Sequence, residues 1–352
     1  MRSATIGVIG ASGLVGQEIL GWLQRFRYPL ESVRALASER SAGRRLSIGS
    51  WDWEVEALTE ERLEGLDLAL FATEAEVSRH WIPVAHRHGV RCIDSSSAFR
   101  QDPSVPLLIP EINGEQLASH PSLVASPNCS ATLALLALAP LHRAFGLKSF
   151  SACTYQAVSG VGRDGLRALA QERANSEKFS EIFSDRIEQN ILATIGEIQP
   201  NGFAAEEEKM VHESRKILDL PELGVVATCV RVPVERAHSL AIQAHFAEPV
   251  DLAAAEDALR HAKSLRYTPE WLPTPLRCAR NEDCYVSRLR LVPPRAGDHD
   301  ETQVIDSHDL LLWVVGDQLW SGAALNVVRL VNLLLRDCFP HNLNSSPLKL
   351  QI

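Results

Sequence analysis

Of the seven cysteines in this 352-residue sequence, one occupies a position suited to nucleophilic chemistry. Cys129 lies in Ser126-Pro127-Asn128-Cys129-Ser130-Ala131-Thr132, between an apolar strand-like run and the helical run 133–145, so it falls at a helix N-terminus. Unpaired N–H groups and the helix dipole favour a thiolate at such a place, and a thiolate is the nucleophilic form. The other six read as small buried hydrophobes, the ordinary fate of a cysteine. With no C-x-x-C pair or zinc spacing, they suggest free thiols in a reducing compartment and no metal site.

A second piece of chemistry sits near the N-terminus. Gly10, Gly13 and Gly16 follow a β-prone run at 5–9 and precede a run of helical spacing at 17–26. Glycines there permit a tight turn and close backbone approach to a pyrophosphate, which free helix N–H groups then bind. The spacing is G-x-x-G-x-x-G, and three glycines alone are as readily a generic loop. The context favours a mononucleotide-binding fold, because another strand-like segment follows at 32–37. After it comes Ser38-Glu39-Arg40-Ser41. Arg40 between two serines suits a 2′-phosphate, hence NADP, although a solvated basic loop is the bland reading and Glu39 leaves room for NAD. Further on, Glu206 and Lys209 share one helix face at a spacing of three. On its own, E-E-E-K is more often a solvated charge run; Met210, Val211 and Ile217 support an amphipathic helix either way.

These residues need elements to position them. β-prone stretches at 66–72, 90–94 and 123–125 alternate with helical ones such as 76–88, which predicts an α/β domain with a largely parallel sheet. At 352 residues a single core is exceeded, so two domains are expected. A hydrophobic fraction of 45% and a charged fraction of 22% are ordinary for a globular enzyme. The net charge of -9 is spread along the chain and offers no broad footprint for nucleic acid. The longest apolar stretch, 131–141, is too short to span a bilayer and contains Pro140; with an N-terminus that runs straight into a strand, this predicts a cytoplasmic protein. No internal repeat is visible.

Several segments together resemble the aspartate-semialdehyde dehydrogenase family. S-P-N-C-S at 126–130 resembles its active-site segment. Gly10-Ala-Ser-Gly13, Asp94-Ser-Ser-Ser-Ala-Phe-Arg100, Ile109-Pro-Glu-Ile-Asn113, Tyr155-Gln156-Ala-Val-Ser-Gly160, Glu206-Glu-Glu-Lys209-Met210, Cys229-Val-Arg231-Val-Pro-Val-Glu-Arg-Ala-His238-Ser239 and Gly316-Asp317-Gln-Leu-Trp-Ser-Gly322-Ala-Ala-Leu-Asn326 match in order. The resemblance spans most of the chain. It implies a Rossmann-like nucleotide-binding domain at 1–133, completed by a C-terminal helix at 322–352, and an α+β catalytic and dimerisation domain at 134–321. Strand-like segments at 150–158, 225–234 and 240–246 would belong to the second domain, and an apolar helix at 323–335 to the first. A homodimer is expected.

The implied reaction is reductive dephosphorylation of L-4-aspartyl phosphate to L-aspartate 4-semialdehyde, a step toward lysine, threonine and methionine. Cys129 is implied as nucleophile, forming a thioester to which NADPH delivers hydride. His238 is implied as the general acid/base, an imidazole titrating near neutrality, and Gln156 as an uncharged amide orienting the reacting groups. Arg231 is implied for the substrate α-carboxylate, Glu206 for its α-ammonium, Lys209 for the phosphate, and Arg100 with Asn128 for the phosphate pocket. The cofactor is implied at Gly10, Ser12, Gly13, Leu14 and Val15, at Ser38, Arg40 and Ser41, and at Ser159, Gly160 and Gln318.

Two departures stand out. Glu74-Ala75 replaces a usual pair of glycines, and Ser321 replaces an expected cation before Gly322. Two other readings remain. One is a related acyl-phosphate reductase acting on N-acetyl-glutamyl phosphate, which would give Glu206 no ammonium to meet. The other is a non-catalytic paralogue acting as a binding or structural protein; retention of Cys129, Gln156, Arg231 and His238 argues against it.

Overall fold

The computed structural model describes residues 4–175, 179–292 and 307–338. The chain forms two compact units, Met1–Ser126 with Asn326–Ile352, and Pro127–Leu325.

In the first unit the strands are β1 (Ile6–Ile9), β2 (Val33–Ala37), β3 (Arg45–Ile48), β4 (Trp51–Ala57), β5 (Leu68–Phe71), β6 (Arg91–Asp94) and β7 (Leu123–Ala125). They form one sheet in the order β3-β4-β2-β1-β5-β6-β7, parallel except for β3, which runs antiparallel to β4. Every residue of β1 and β5 is buried. That is why both read as unbroken apolar runs: a parallel sheet is covered on both faces and leaves no polar side to alternate with. Helices Leu14–Arg25 and Ala75–Arg87 follow β1 and β5, the first burying Ile19, Leu20, Trp22 and Leu23. Since β2 and β5 flank β1, the strand order reverses beside β1, and ligands of such sheets bind beyond the strand C-termini at that reversal. The glycine turn begins there. The β3/β4 hairpin, turning at Gly49 with φ +59°, is an addition to the anticipated strands.

The helix Leu325–Cys338 belongs to the first unit from Asn326 onward. The Asn326 amide donates to the Leu108 carbonyl at 3.1 Å and to Ser126 Oγ at 2.8 Å, and Arg329 pairs with Glu111 at 2.8 Å. Residues 339–352, assigned to the same segment from sequence, lie outside the described residues.

The second unit holds β8 (Leu147–Gln156), β9 (Gly224–Arg231), β10 (His238–Phe246), β11 (Leu265–Tyr267), β12 (Cys284–Leu291) and β13 (Asp309–Gly316), ordered β11-β12-β13-β10-β8-β9. Pairing is antiparallel except between β8 and β9 and between β11 and β12. β9 stops at Arg231, ahead of Pro233, which has no N–H for a ladder. The register sets Gln156 opposite Arg231 at the ends of β8 and β9, while antiparallel β10 begins at His238 on that same edge. Three residues distant in sequence therefore meet by topology.

The contacts place the division between units at 126/127 and 325/326, against the 133/134 and 321/322 read from sequence. The physical reason is the helix Cys129–Phe145. It is buried on all sides from Ser130 to Leu141 and packs on β8, β10 and β13, so it belongs to the second unit from its first residue.

Candidate active site

Cys129 is the first residue of its helix, which begins sooner than the apolar run 133–145 indicates. Asn128 caps it: its Oδ1 accepts from Ser130 N at 2.8 Å and Ala131 N at 3.3 Å, as an N-cap asparagine does for otherwise orphaned donors. The Asn128 Nδ2 donates to Glu206 Oε1 at 2.8 Å, and its main-chain N–H donates to Glu213 Oε2 at 2.5 Å. Asn128 is thus engaged at every polar side-chain atom before any ligand arrives. Directly over the thiol-bearing residue, a Cβ built on Gly322 would come within 2.7 Å of Cys129 Cβ and 3.0 Å of its Cα. Gly322 lies in a π-helical turn, Trp320–Ala324, a feature frequent near functional sites.

The edge of the sheet supplies the next group. Ala157 holds two of its members at once: its N–H donates to His238 Nδ1 at 3.0 Å, and its carbonyl accepts from Arg231 Nη1 at 2.8 Å. His238 is fully buried, and burial, then the Arg231 charge, pushes its pKa well below 6.5. The ring is therefore neutral. Because Nδ1 accepts, the proton resides on Nε2, and Nε2 has no hydrogen-bond partner among the described residues. A buried donor without an acceptor is costly, and a ligand oxygen would relieve it. Gly160 lies against both partners, since a Cβ there would fall 2.6 Å from Arg231 Nη1 and 3.5 Å from His238 Cε1.

His238 is also positioned from behind. Ala237 adopts φ +71°, a conformation disfavoured for a residue with a Cβ. Its N–H is held by Gln318 Oε1 at 2.9 Å, Gln318 Nε2 donates to Ser159 Oγ at 2.6 Å, and Ser159 Oγ donates to the Glu235 carbonyl at 2.5 Å. Ser159 and Gln318, expected at the cofactor, brace the turn that presents the histidine.

Glu206 and Lys209 lie on the helix Ala205–Leu218 and pair at 3.0 Å. Glu206 Oε1 also accepts from Gln156 Nε2 at 3.3 Å, which joins Gln156 to the Asn128–Cys129 turn. Burial is the largest influence on Glu206 and opposes its charge, but Lys209, Asn128 and Gln156 together outweigh it, so its pKa lies below the ordinary carboxyl value. Arg231 is lowered by burial, against nearby Glu206 and Cys129, yet a guanidinium stays charged at neutral pH. The second unit therefore brings together Asn128, Cys129, Gln156, Ser159, Gly160, Glu206, Lys209, Arg231, His238 and Gln318.

The first unit holds the remaining expected residues. Gly10 has φ +83°, and a Cβ there would meet the Ala72 carbonyl at 2.3 Å, so the turn requires glycine. Gly13 is the N-cap of the helix Leu14–Arg25 and provides no side-chain cap, leaving the first-turn N–H groups of Leu14 and Val15 to an anion. Ser12 Oγ donates to Ser41 Oγ at 3.2 Å, which brings the glycine turn to the segment after β2, where Ser38 and Arg40 are exposed. These features fit a dinucleotide. Arg100 is buried and donates to the carbonyls of Ser126 at 2.9 Å and Ser95 at 2.7 Å.

Two family models match the chain: the semialdehyde dehydrogenase NAD binding domain over residues 5–120 and the semialdehyde dehydrogenase dimerisation domain over 138–321. The aspartate-semialdehyde dehydrogenase of Prochlorococcus marinus is 38% identical over 344 residues, spanning 95% of this chain and 96% of that one. This chain belongs to the aspartate-semialdehyde dehydrogenase family. The Mycolicibacterium smegmatis aspartate-semialdehyde dehydrogenase is likewise 38% identical, over 94% of this chain and 99% of its own. The crystal structure of aspartate semialdehyde dehydrogenase II from Vibrio cholerae superposes with a TM-score of 0.88 at 34% identity, covering 96% of this chain and all (100%) of that one. The same V. cholerae enzyme complexed with ASA gives a TM-score of 0.88 at 33% identity and the same coverage of 96% and 100%.

Within that family the two departures have local explanations. Glu74 is exposed at the N-cap of Ala75–Arg87, where negative charge suits the helix dipole. Ser321 is buried and donates to the Glu282 carbonyl at 3.0 Å. Sequence reasoning missed Gly322 as the residue packed on Cys129, and Glu213 and Ala157 as holders of the site. Ala157 carries no chemical signal in its side chain, and Glu213 reads as one more charge on an amphipathic helix.

Proposed function

We propose that this protein is an NADP-dependent, phosphorylating aspartate-semialdehyde dehydrogenase that converts L-4-aspartyl phosphate to L-aspartate 4-semialdehyde through a Cys129 thioester, working in the cytoplasm as a homodimer. The observation that carries the reading is Cys129 at a capped helix start in one unit with His238, whose neutral, buried ring holds a donor Nε2–H with no partner among the described residues. In this mechanism the Cys129 thiolate bonds through Sγ to the acyl carbon, the bond from that carbon to the phosphate oxygen breaks, and phosphate departs with the electron pair. His238, expected as a general acid/base titrating near neutrality, is held neutral by burial and acts as a donor: its Nε2–H hydrogen-bonds the carbonyl oxygen as it gains charge, both then and when the thioester is reduced. A bound dihydronicotinamide supplies the hydride for that reduction. The C–S bond then breaks, returning the Cys129 thiolate and releasing aldehyde. Gln156 orients the acyl group, and Arg231 with Glu206 reads the carboxylate and ammonium of the amino acid. Lys209 takes the phosphate, whereas Asn128, expected in the phosphate pocket, has its side-chain amide committed to the helix start and to Glu206 and holds the Cys129 turn.

NADP is favoured by exposed Arg40 beside Ser38 and by the Ser12–Ser41 contact. The homodimer is supported by the dimerisation-domain match and by the outward face of the second sheet, where Ser151, Val226, Thr228 and Gln243 are exposed. No helix among the described residues is long and apolar enough to cross a membrane. The test is phosphate-dependent reduction of NADP+ with aspartate semialdehyde, set against N-acetyl-glutamate semialdehyde and against Cys129→Ser. Turnover with the first substrate and its loss in the variant are expected. Turnover only with the N-acetyl substrate would overturn the assignment, and activity persisting in Cys129→Ser would remove the thioester.

A further inference from the structure

We infer that Glu213 is a positioning residue for the nucleophile, acting through the main chain of Asn128. The helix Ala205–Leu218 brings Glu206 and Glu213, two turns apart, to the same short segment. Glu206 takes the Asn128 side-chain amide at 2.8 Å and Glu213 takes its main-chain N–H at 2.5 Å. Two carboxylates on one helix face thus hold one asparagine by its two ends. That asparagine is the cap on which the Cys129 helix starts.

The Asn128 N–H needs such a partner. It belongs to the N-cap residue, so no turn of its own helix can accept it. Asn128 is buried, so water does not supply the acceptor. Glu213 is completely buried, as an exposed acidic residue on an amphipathic helix would not be. Its hydrogen bond spans 85 residues of sequence, and the peptide it grips, Pro127–Asn128, lies one residue ahead of the one that carries the Cys129 N–H. Moving that peptide moves the thiol and the first-turn N–H groups together. What the site requires of position 213 is an acceptor at the right reach, and its negative charge is secondary. The charge, placed at the start of the Cys129 helix, stabilises the helix and works against a thiolate.

The inference rests on Cys129 being the nucleophile of the proposed reaction, but its test does not need that reaction. The experiment measures the rate of Cys129 alkylation by iodoacetamide at pH 7 in the full-length protein, with Glu213→Gln and Glu213→Asp beside the parent. Each sample is first checked for a cooperative melt, and kcat and KM are read in parallel. Glu213→Gln keeps size and an acceptor oxygen while losing the charge. Glu213→Asp keeps the charge but withdraws the acceptor by one methylene, about 1.5 Å. Alkylation is expected to slow by ~10-fold or more in Glu213→Asp and to stay within about threefold of the parent in Glu213→Gln, with kcat following the same order and KM nearly unmoved. Glu213→Asp reacting as fast as the parent would overturn the inference. So would Glu213→Gln reacting as slowly as Glu213→Asp, because that pattern assigns the role to charge. If the parent alkylates as described yet fails to oxidise aspartate semialdehyde, the functional proposal fails while this one stands.

Discussion

His238 shows how a single environment can set both chemistry and stability. Its ring in the unfolded chain titrates near 6.5, whereas burial and Arg231 hold it well below that in the fold. Above pH 6.5 both states are neutral and the group contributes nothing to the pH dependence. Below it the unfolded chain binds a proton that the folded chain refuses, so stability falls as pH drops from 6.5 toward the folded value. Within that window the loss from this one group is about 1.4 kcal/mol per pH unit. Urea melts at pH 7.0 and 5.5 should therefore show a steeper loss in the parent than in His238→Gln. Equal losses would mean that the folded ring protonates freely. His238→Ala removes the Nε2–H donor outright, and kcat should fall by ~10²-fold or more with a smaller change in KM.

At the scale of elements, the site is where three kinds of structure end. Two parallel strands end at Gln156 and Arg231, an antiparallel strand begins at His238, and a helix begins at Cys129. Ends carry unsatisfied main-chain groups, and Ala157 uses both of its own to fix a histidine and an arginine. The π-helical turn at Trp320–Ala324 adds a spatial requirement. Gly322 does not have a positive φ, so an alanine there is permitted by the backbone but collides with Cys129 Cβ at 2.7 Å. The cap on Asn128 leaves the helix start little room to retreat. Gly322→Ala should lower kcat by ~10²-fold through a misplaced thiol, and an alkylation rate and kcat equal to the parent's would show that the start of the helix can give way.

For the whole molecule, the division into two units separates two recognitions. The first unit builds the glycine turn at the reversal of strand order, with Ser12 meeting Ser41; the second builds the Cys129 helix start and the cluster of Gln156, Arg231 and His238, the proposed nucleophile and its helpers. The sheet of the second unit follows an alternating pattern on β9, with Val225 and Ala227 inside and Val226 and Thr228 outside. Val226 is 57% exposed in one chain, an apolar residue on an open sheet face. Sedimentation of the parent should show a dimer, and Val226→Asp should shift it toward monomer at micromolar concentration by placing a charge in the covered face. An unchanged dimer would move the interface off this face.

The sequence by itself determined the features whose causes are local. The glycine turn is legible because a strand, a backbone without Cβ and a helix must follow one another within a few residues. Cys129 near a helix start is legible from the helical run 133–145 that follows it, although the helix itself begins sooner. The alternation of β-prone stretches with helical ones made a largely parallel sheet legible. The reaction class was legible through ordered motifs carrying Gln156, Arg231 and His238. The tertiary structure decided what depends on residues far apart in the chain. Glu213 reaches back 85 residues to Asn128, His238 is held by Ala157 from 81 residues away, and Gly322 presses on Cys129. No spacing rule encodes these contacts, because they arise from strand register and helix packing. The strands β11, β12 and β13 also emerged only in the fold, where pairing with β10 and with one another decides what short or irregular apolar runs leave ambiguous. The charge states of His238 and Glu206 follow for the same reason: burial and neighbours set them, and both are properties of the packed chain.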